Sequence, residues 1–261
     1  MPSVCGRLVL FDRKCMRLAV TLILIVGMTA ACSKQQDPAE QALADARRLA
    51  DDGRYEEALQ KHVWFHENAL RIRPSYYGVR LSFALADWVK LGSRYPKALE
   101  KLRDIRDEKD AKLRGGLRDS DLFHDVASIN QYLGESTRTV SLFKQLHCTN
   151  PQFAQDCFDL AVEALVEAGE FGLCKEYLGD PDQRFSEIAA SRKRGLGYAS
   201  RKSGRTAQAA TDAFNSIYVN AVCRLLQILA QTGDEAKAIE IQKQALATYP
   251  DNRIEEALRK K

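Results

Sequence analysis

Seventeen residues separate Gly134 from Pro151, and the same interval separates Gly233 from Pro250. In each stretch a small turn residue ends one amphipathic segment and a proline closes the next. The most complete unit runs from Val219 to Asn252: a first helix VNAVCRLLQILAQ, the turn Thr232-Gly233-Asp234, a second helix EAKAIEIQKQALATY, then Pro250. Val222, Leu225, Leu226 and Leu229 share one face of the first helix, as Ala238, Ile241 and Ala245 do on the second. Ala238 and Ala245 are small, so two helix axes can approach closely there. A chain that repeats such hairpins buries its apolar faces by stacking them. No segment alternates as a strand does.

Further units follow in the same order. Residues 120–151 supply Phe123, Ala127, Gly134, Val140 and Pro151; residues 155–178 supply Phe158, Val162, Leu165, Gly169, Phe171 and Cys174. Residues 190–218 supply Leu196, Gly197, Gly204, Ala209 and Phe214. Upstream, Gly53, Tyr55 and Ala58 mark one unit, and Gly92, Tyr95 and Ala98 another. Their second helices are long: the first gains about one turn before Pro74, and the other runs on as LEKLRDIRDEKDAKLR until Gly115-Gly116 stops it.

The 219–252 stretch resembles the tetratricopeptide repeat (TPR) family, with its small helix-packing residues, its glycine between helices and its closing proline. The resemblance implies an all-α fold, a right-handed α-solenoid of about six TPR-like hairpins over residues 39–252. One continuous apolar seam is expected from about residue 40 onward, with a capping helix, Arg253 to Arg259, inside residues 253–261.

The N-terminus reads as a targeting segment. Arg13, Lys14 and Arg17 precede the apolar run Leu18 to Met28, and Thr29-Ala30-Ala31 precede Cys32. From Leu18 to Ala31 the uncharged run is shorter than the roughly 20 residues a helix needs to cross a bilayer, which favours a signal peptide over residues 1–31. Thr29-Ala30-Ala31-Cys32 resembles the lipobox of bacterial lipoproteins, with Thr29 where leucine is usual. That resemblance implies lipidation of Cys32, Ser33 directing the protein to the outer membrane, and residues 32–38 as a polar tether. The alternative is an ordinary signal peptide cut after Ala31, with Cys32 left as a thiol. A start at Met16 gives a more compact leader and removes Cys5 and Cys15.

At 45% hydrophobic and 28% charged, the 261 residues have ordinary globular composition. Loss of residues 1–31 lowers the formal charge from +4 to +1, so a nucleic-acid partner is not expected. No nucleophile elbow or Ser-His-acid arrangement is visible, no cofactor is expected, and the protein is read as a non-enzyme. His62 and His66 lie four apart beside Glu67, a spacing that can present two imidazoles to one metal. Packing on a crowded helix is the competing reading. Gly195-Leu196-Gly197 has no preceding strand and belongs to helix packing, not to a phosphate loop. Cys148 and Cys157 straddle Pro151 and are a candidate disulfide in an oxidising periplasm. Cys174 reads as a core residue.

In TPR proteins the concave surface is lined by the first helix of each hairpin. By that resemblance Asp156, Asp159, Glu163 and Glu167 form an acidic strip, and Ser191, Arg194, Tyr198 and Lys202, with Arg201 beside them, form a basic one in the next unit. Together they would make a bipolar groove for an extended segment of a protein partner. Alternatively, neighbouring repeats cancel each other's charge. The expected function is a noncatalytic adaptor, lipid-anchored in a bacterial cell envelope and facing the periplasm. Two other readings are a metal-binding or enzyme-assisting protein using His62, His66 and Glu67, and a self-associating structural envelope protein.

Overall fold

The structure, a computed structural model, describes residues 37–259. The expected signal peptide, the lipidation site Cys32 and most of the tether lie outside the described residues. Pro38, expected at the end of a tether, instead opens the first helix, and Asp37 accepts from the Ala39 amide at 2.9 Å. A side-chain N-cap followed by proline satisfies the first free amides and presets the helical φ.

Among the described residues the chain is all-α, with thirteen helices and no strand. They are α1 (Pro38–Asp51), α2 (Tyr55–Ile72), α3 (Tyr77–Arg80), α4 (Phe83–Gly92), α5 (Pro96–Arg114), α6 (Ser120–Leu133) and α7 (Ser136–Thr149). There follow α8 (Pro151–Glu167), α9 (Phe171–Leu178), α10 (Pro181–Ala199), α11 (Gly204–Gln231), α12 (Glu235–Thr248) and α13 (Asn252–Glu256). The short 3-10 turn Pro74–Tyr76 and α3 lead into α4. The terminal helix ends at Glu256, short of Arg259.

Turn chemistry accounts for the boundaries. Gly134 closes α6 at φ 69°, a left-handed conformation that favours glycine, and Gly233 ends α11 in the same region at φ 84°. Pro151 does more than end a helix: Asn150 caps α8 through the Phe153 amide, and Pro151 is its first residue. Asp180 and Pro181 repeat this device at α10. Helices pack on their chain neighbours and on the next but one, as α2 on α4, α4 on α6, α6 on α8 and α10 on α12.

Two expectations are corrected. Residues 205–232 contain no glycine or proline, so the second helix of one expected unit and the first of the next are a single helix, α11. By length and composition α11 could cross a membrane, yet Tyr218, Val219, Val222, Leu225, Leu226 and Leu229 are buried against its neighbours. The apolar seam is also not continuous: buried apolar side chains form three clusters. The small positions do serve close packing, with Ala58, Ala98, Ala238 and Ala245 fully buried. At Gly195 a β-carbon would lie 2.2 Å from the Phe214 ring, which is why glycine stands there in mid-helix.

A layer of buried charge occupies the seam. Arg80 on α3, Lys109 on α5 and Asp125 on α6 meet beside His66 of α2. Arg80 Nη1 donates to Asp125 at 2.9 Å and lies 3.2 Å from His66 Nε2, while Lys109 Nζ lies 3.1 Å from the same nitrogen and pairs with Asp125. Burial alone would raise the Asp125 carboxyl, but the Arg80 hydrogen bond and the Lys109 charge hold it below its ordinary range. A second polar layer joins buried Arg106 to Asn130 and Glu135, with Asn130 donating to Thr139 at 3.0 Å. Asp125→Ala should destabilise the fold by about 3–5 kcal/mol, because buried Arg80 and partly buried Lys109 lose their counterion. Replacing Arg80, Lys109 and Asp125 together with Met, Met and Leu should recover most of that loss in a urea titration. A single-variant loss below about 1 kcal/mol would contradict this role.

Candidate functional site

The groove is built on α8. Residues three and four apart on a helix share a face, so Asp159, Val162 and Glu163 look the same way, towards α10 and α11. Between these helices lies a cleft of about 280 Å³, floored by Phe158, Val162, Leu178, Ile188, Leu225 and Ile228. Asp159, Arg184, Glu187 and Arg224 form its rim. A second cleft, of about 170 Å³, adjoins it towards α6 and shares Asp159, Val162 and Arg224. Its lining is polar, with His124, Ser128, Gln131, Thr139, Glu163 and Glu167.

Phe158 owes its position to an aromatic cluster: Phe143 and Tyr177 pack on it with ring centroids 6.3 and 5.9 Å away. The Arg184 guanidinium lies 5.6 Å above the Phe158 ring and reaches Asp159 at 2.7 Å. Arg224 pairs with Glu163 at 3.3 Å, and Gln131 donates to the same carboxylate at 3.3 Å. The like-charge strip on α8 is thus offset from two neighbouring helices. Its rim pairs are partly exposed and each contributes about 0–1 kcal/mol, so they orient more than they stabilise.

Of the expected groove residues, Asp159, Glu163 and Glu167 line these clefts, whereas Asp156 is exposed and lines neither. Arg194, Tyr198, Arg201 and Lys202 are exposed elsewhere, near the α10–α11 turn, and the expected bipolar pairing is corrected. The reason is register. The Asp180-Pro181 cap starts α10 nine residues before the expected unit at 190, so its groove-facing residues are Arg184, Glu187, Ile188 and Ser191. The cations facing the acids are Arg184 and Arg224. Ser191 was expected in the groove and lines it; Arg184 and Ile188 precede it at helical spacing after an Asp-Pro start, a signal that was readable. The pairing of Arg224 with Glu163, across a separation of 61 residues, has no local signal.

The candidate disulfide is corrected as well. Cys148 is exposed and Cys157 is fully buried, and both are free thiols. Cys157 faces the core from α8, where burial pushes its thiol up to about 12. Cys174 is a core residue, with its thiol pushed up by burial to about 11.

The histidine cluster does not make a metal site. His62 and His66 both point inward, but His66 Nε2 faces two cations, Lys109 and Arg80, and Glu67 turns to solvent. His62 stacks on Trp88 at 5.6 Å, and its Nδ1 is buried without a hydrogen-bond partner. Among the described residues no group of three or more His, Cys, Asp or Glu side chains is arranged to hold a metal. Compared with known proteins, the chain matches no family model, no curated protein and no solved structure.

Burial pushes His62 down to about 4, against the opposing pull of Asp87. It pushes His66 down to about 3, helped by the charges of Lys109 and Arg80. In the unfolded chain both take up protons near pH 6.5. The unfolded state therefore binds more protons between about pH 6.5 and these lowered values, and stability falls as pH drops through that window. At pH 5 each histidine should cost up to about 2 kcal/mol relative to pH 7. His124 is also held down by burial, so His62→Phe, which keeps the stack on Trp88, should remove part, up to about 2 kcal/mol, of the stability lost between pH 7 and 5 in denaturant melts. An unchanged pH slope would refute this assignment.

Proposed function

We propose that this chain is a noncatalytic scaffold of the bacterial cell envelope, lipid-anchored at Cys32 in the outer membrane and facing the periplasm. In this reading its hairpins are TPR-like units stacked as a right-handed solenoid, and they hold an extended segment of another protein. The arrangement of helices joined by short turns, each packed on its chain neighbour and several on the next helix but one, supports the solenoid. The basic flank, short apolar run and small residues before Cys32 support the anchor.

The observation that carries the binding role is the pair of adjoining clefts on α8. One end has an apolar floor able to take a large side chain, and the other is polar. Ordered guanidinium and carboxylate groups line the junction. Such a site, concave and apolar with few convergent polar groups, suits recognition of a protein segment more than a flat contact.

A photo-crosslinking residue at position 191 should capture one protein segment in cells. Ala221→Trp, which fills the first cleft, should abolish that crosslink, and Asp159→Ala with Glu163→Ala should weaken it at least tenfold. The double variant should shift the melting temperature by less than about 5 °C, since only exposed ion pairs are lost. Crosslinking that persists in both variants would exclude the groove. For the anchor, labelled palmitate should enter the parent chain and not Cys32→Ala; equal labelling of the two would remove Cys32 as the lipid site.

A further inference from the structure

The basic strip that does not line the groove is a separate surface. Arg192, Lys193, Arg194, Arg201, Lys202 and Arg205 cluster around the α10–α11 turn, and no acidic residue lies between Glu187 and Asp212. Nearby cations are paired: Arg184 with Asp159, Arg224 with Glu163, Lys237 with Asp182, Arg253 with Asp251. No ion pair among the described residues uses any of these six. Arg192 is spent on structure, lying 5.4 and 4.7 Å from the Tyr218 and Tyr249 rings and donating to Asn215. The other five are exposed.

Helix electrostatics explain only two of the five. A helix C-terminus favours cations close to its last carbonyls, which covers Arg201 and Lys202 just past the Ser200 cap of α10, with Arg201 donating to the Gly197 carbonyl at 3.2 Å. Lys193 and Arg194 lie beyond that reach. Arg205 stands in the first turn of α11, where the dipole disfavours a cation. So much unpaired charge of one sign, partly placed against local electrostatics, marks a surface made to meet anions. Tyr198 sits within it, 51% exposed, with the Lys202 ammonium 4.8 Å above its ring and Phe214 edge-on at 6.4 Å.

We propose that this surface docks on an anionic phospholipid bilayer, its cations on headgroup phosphates and Tyr198 at the interface. Basic side chains are drawn to anionic headgroups, and tyrosine, apolar with a polar tip, favours the boundary. A single-stranded nucleic acid fits less well. It calls for a basic channel with several aromatic faces for bases, whereas these residues line neither cleft described above, and one face of the lone tyrosine is taken by Lys202. The inference does not rest on the groove, and it does not require lipidation of Cys32.

The test uses the full chain with vesicles of phosphatidylcholine, with or without a third phosphatidylglycerol, at low and high salt. The apolar segment 18–28 and its basic flank add an affinity common to parent and variants, so the readout is each variant's ratio of partitioning into anionic over neutral vesicles, taken relative to the parent's. Each surface cation contributes about fivefold. Lys193→Gln with Arg194→Gln should cut that ratio about 25-fold, as should Lys202→Gln with Arg205→Gln in a second variant, and neutral-vesicle binding should not change. Anionic vesicles alone should slow amide exchange over residues 192–206 in the parent, and 0.5 M salt should reverse this by screening. A ratio unchanged in both variants, or no protection of that segment, would overturn the proposal. Tighter capture of single-stranded RNA than of anionic vesicles would replace it with a nucleic-acid surface.

Discussion

Asp125 is the counterion that buried Arg80 and partly buried Lys109 share, and helices of the N-terminal half meet around it. Arg80 and Lys109 reach it from α3 and α5, and His66 of α2 lies against both cations, so its carboxylate ties three helices directly and a fourth through its cations. Hydrophobic contacts alone tolerate sliding along a helix, whereas a desolvated charge pair is satisfied in one register only. Burying these groups costs solvation energy that their attraction only partly returns. What the cluster supplies is a unique alignment at the point where the three apolar clusters give way to one another.

The helix that carries Asp125 is half buried along its length, with seven of its 14 residues enclosed. On α6, Phe123, Val126 and Ile129 are buried among apolar neighbours while Asp125, Ser128 and Asn130 are buried among polar ones. It packs on α4, α5, α7 and α8. Beyond it, the core is held mainly by apolar and aromatic contacts running continuously to Ile254. The polar cleft abuts α6 and the apolar cleft lies on the far side of α8. The clefts are thus supported by rigid packing on both sides and need no loop to complete them.

Charge is divided between two surfaces with different roles. In the groove, acids on α8 are met by guanidiniums from α10 and α11, leaving a locally balanced rim around an apolar floor. Around the α10–α11 turn, cations stand without carboxylates. A net charge near zero for the body conceals this separation, since a sum carries no information about position.

Helical periodicity, glycine and proline punctuation and the absence of strand alternation were sufficient to give the all-α class, the positions of most turns and the small residues at close contacts. These are local properties, fixed by backbone sterics and by the face a side chain occupies within one helix. The same reasoning identified three of the four acids expected in the groove, because Asp159, Glu163 and Glu167 share one helix. It failed where partners are distant in the chain. It set the start of α10 too late and so chose Arg194, Tyr198, Arg201 and Lys202 in place of Arg184 and Arg224. It treated α11 as two helices although no breaker divides it, and it saw His62 and His66 without the cations around His66. Local spacing decided which residues share a face; only tertiary packing decided what that face meets, because Coulombic pairing and burial depend on distance through space and not on separation along the chain.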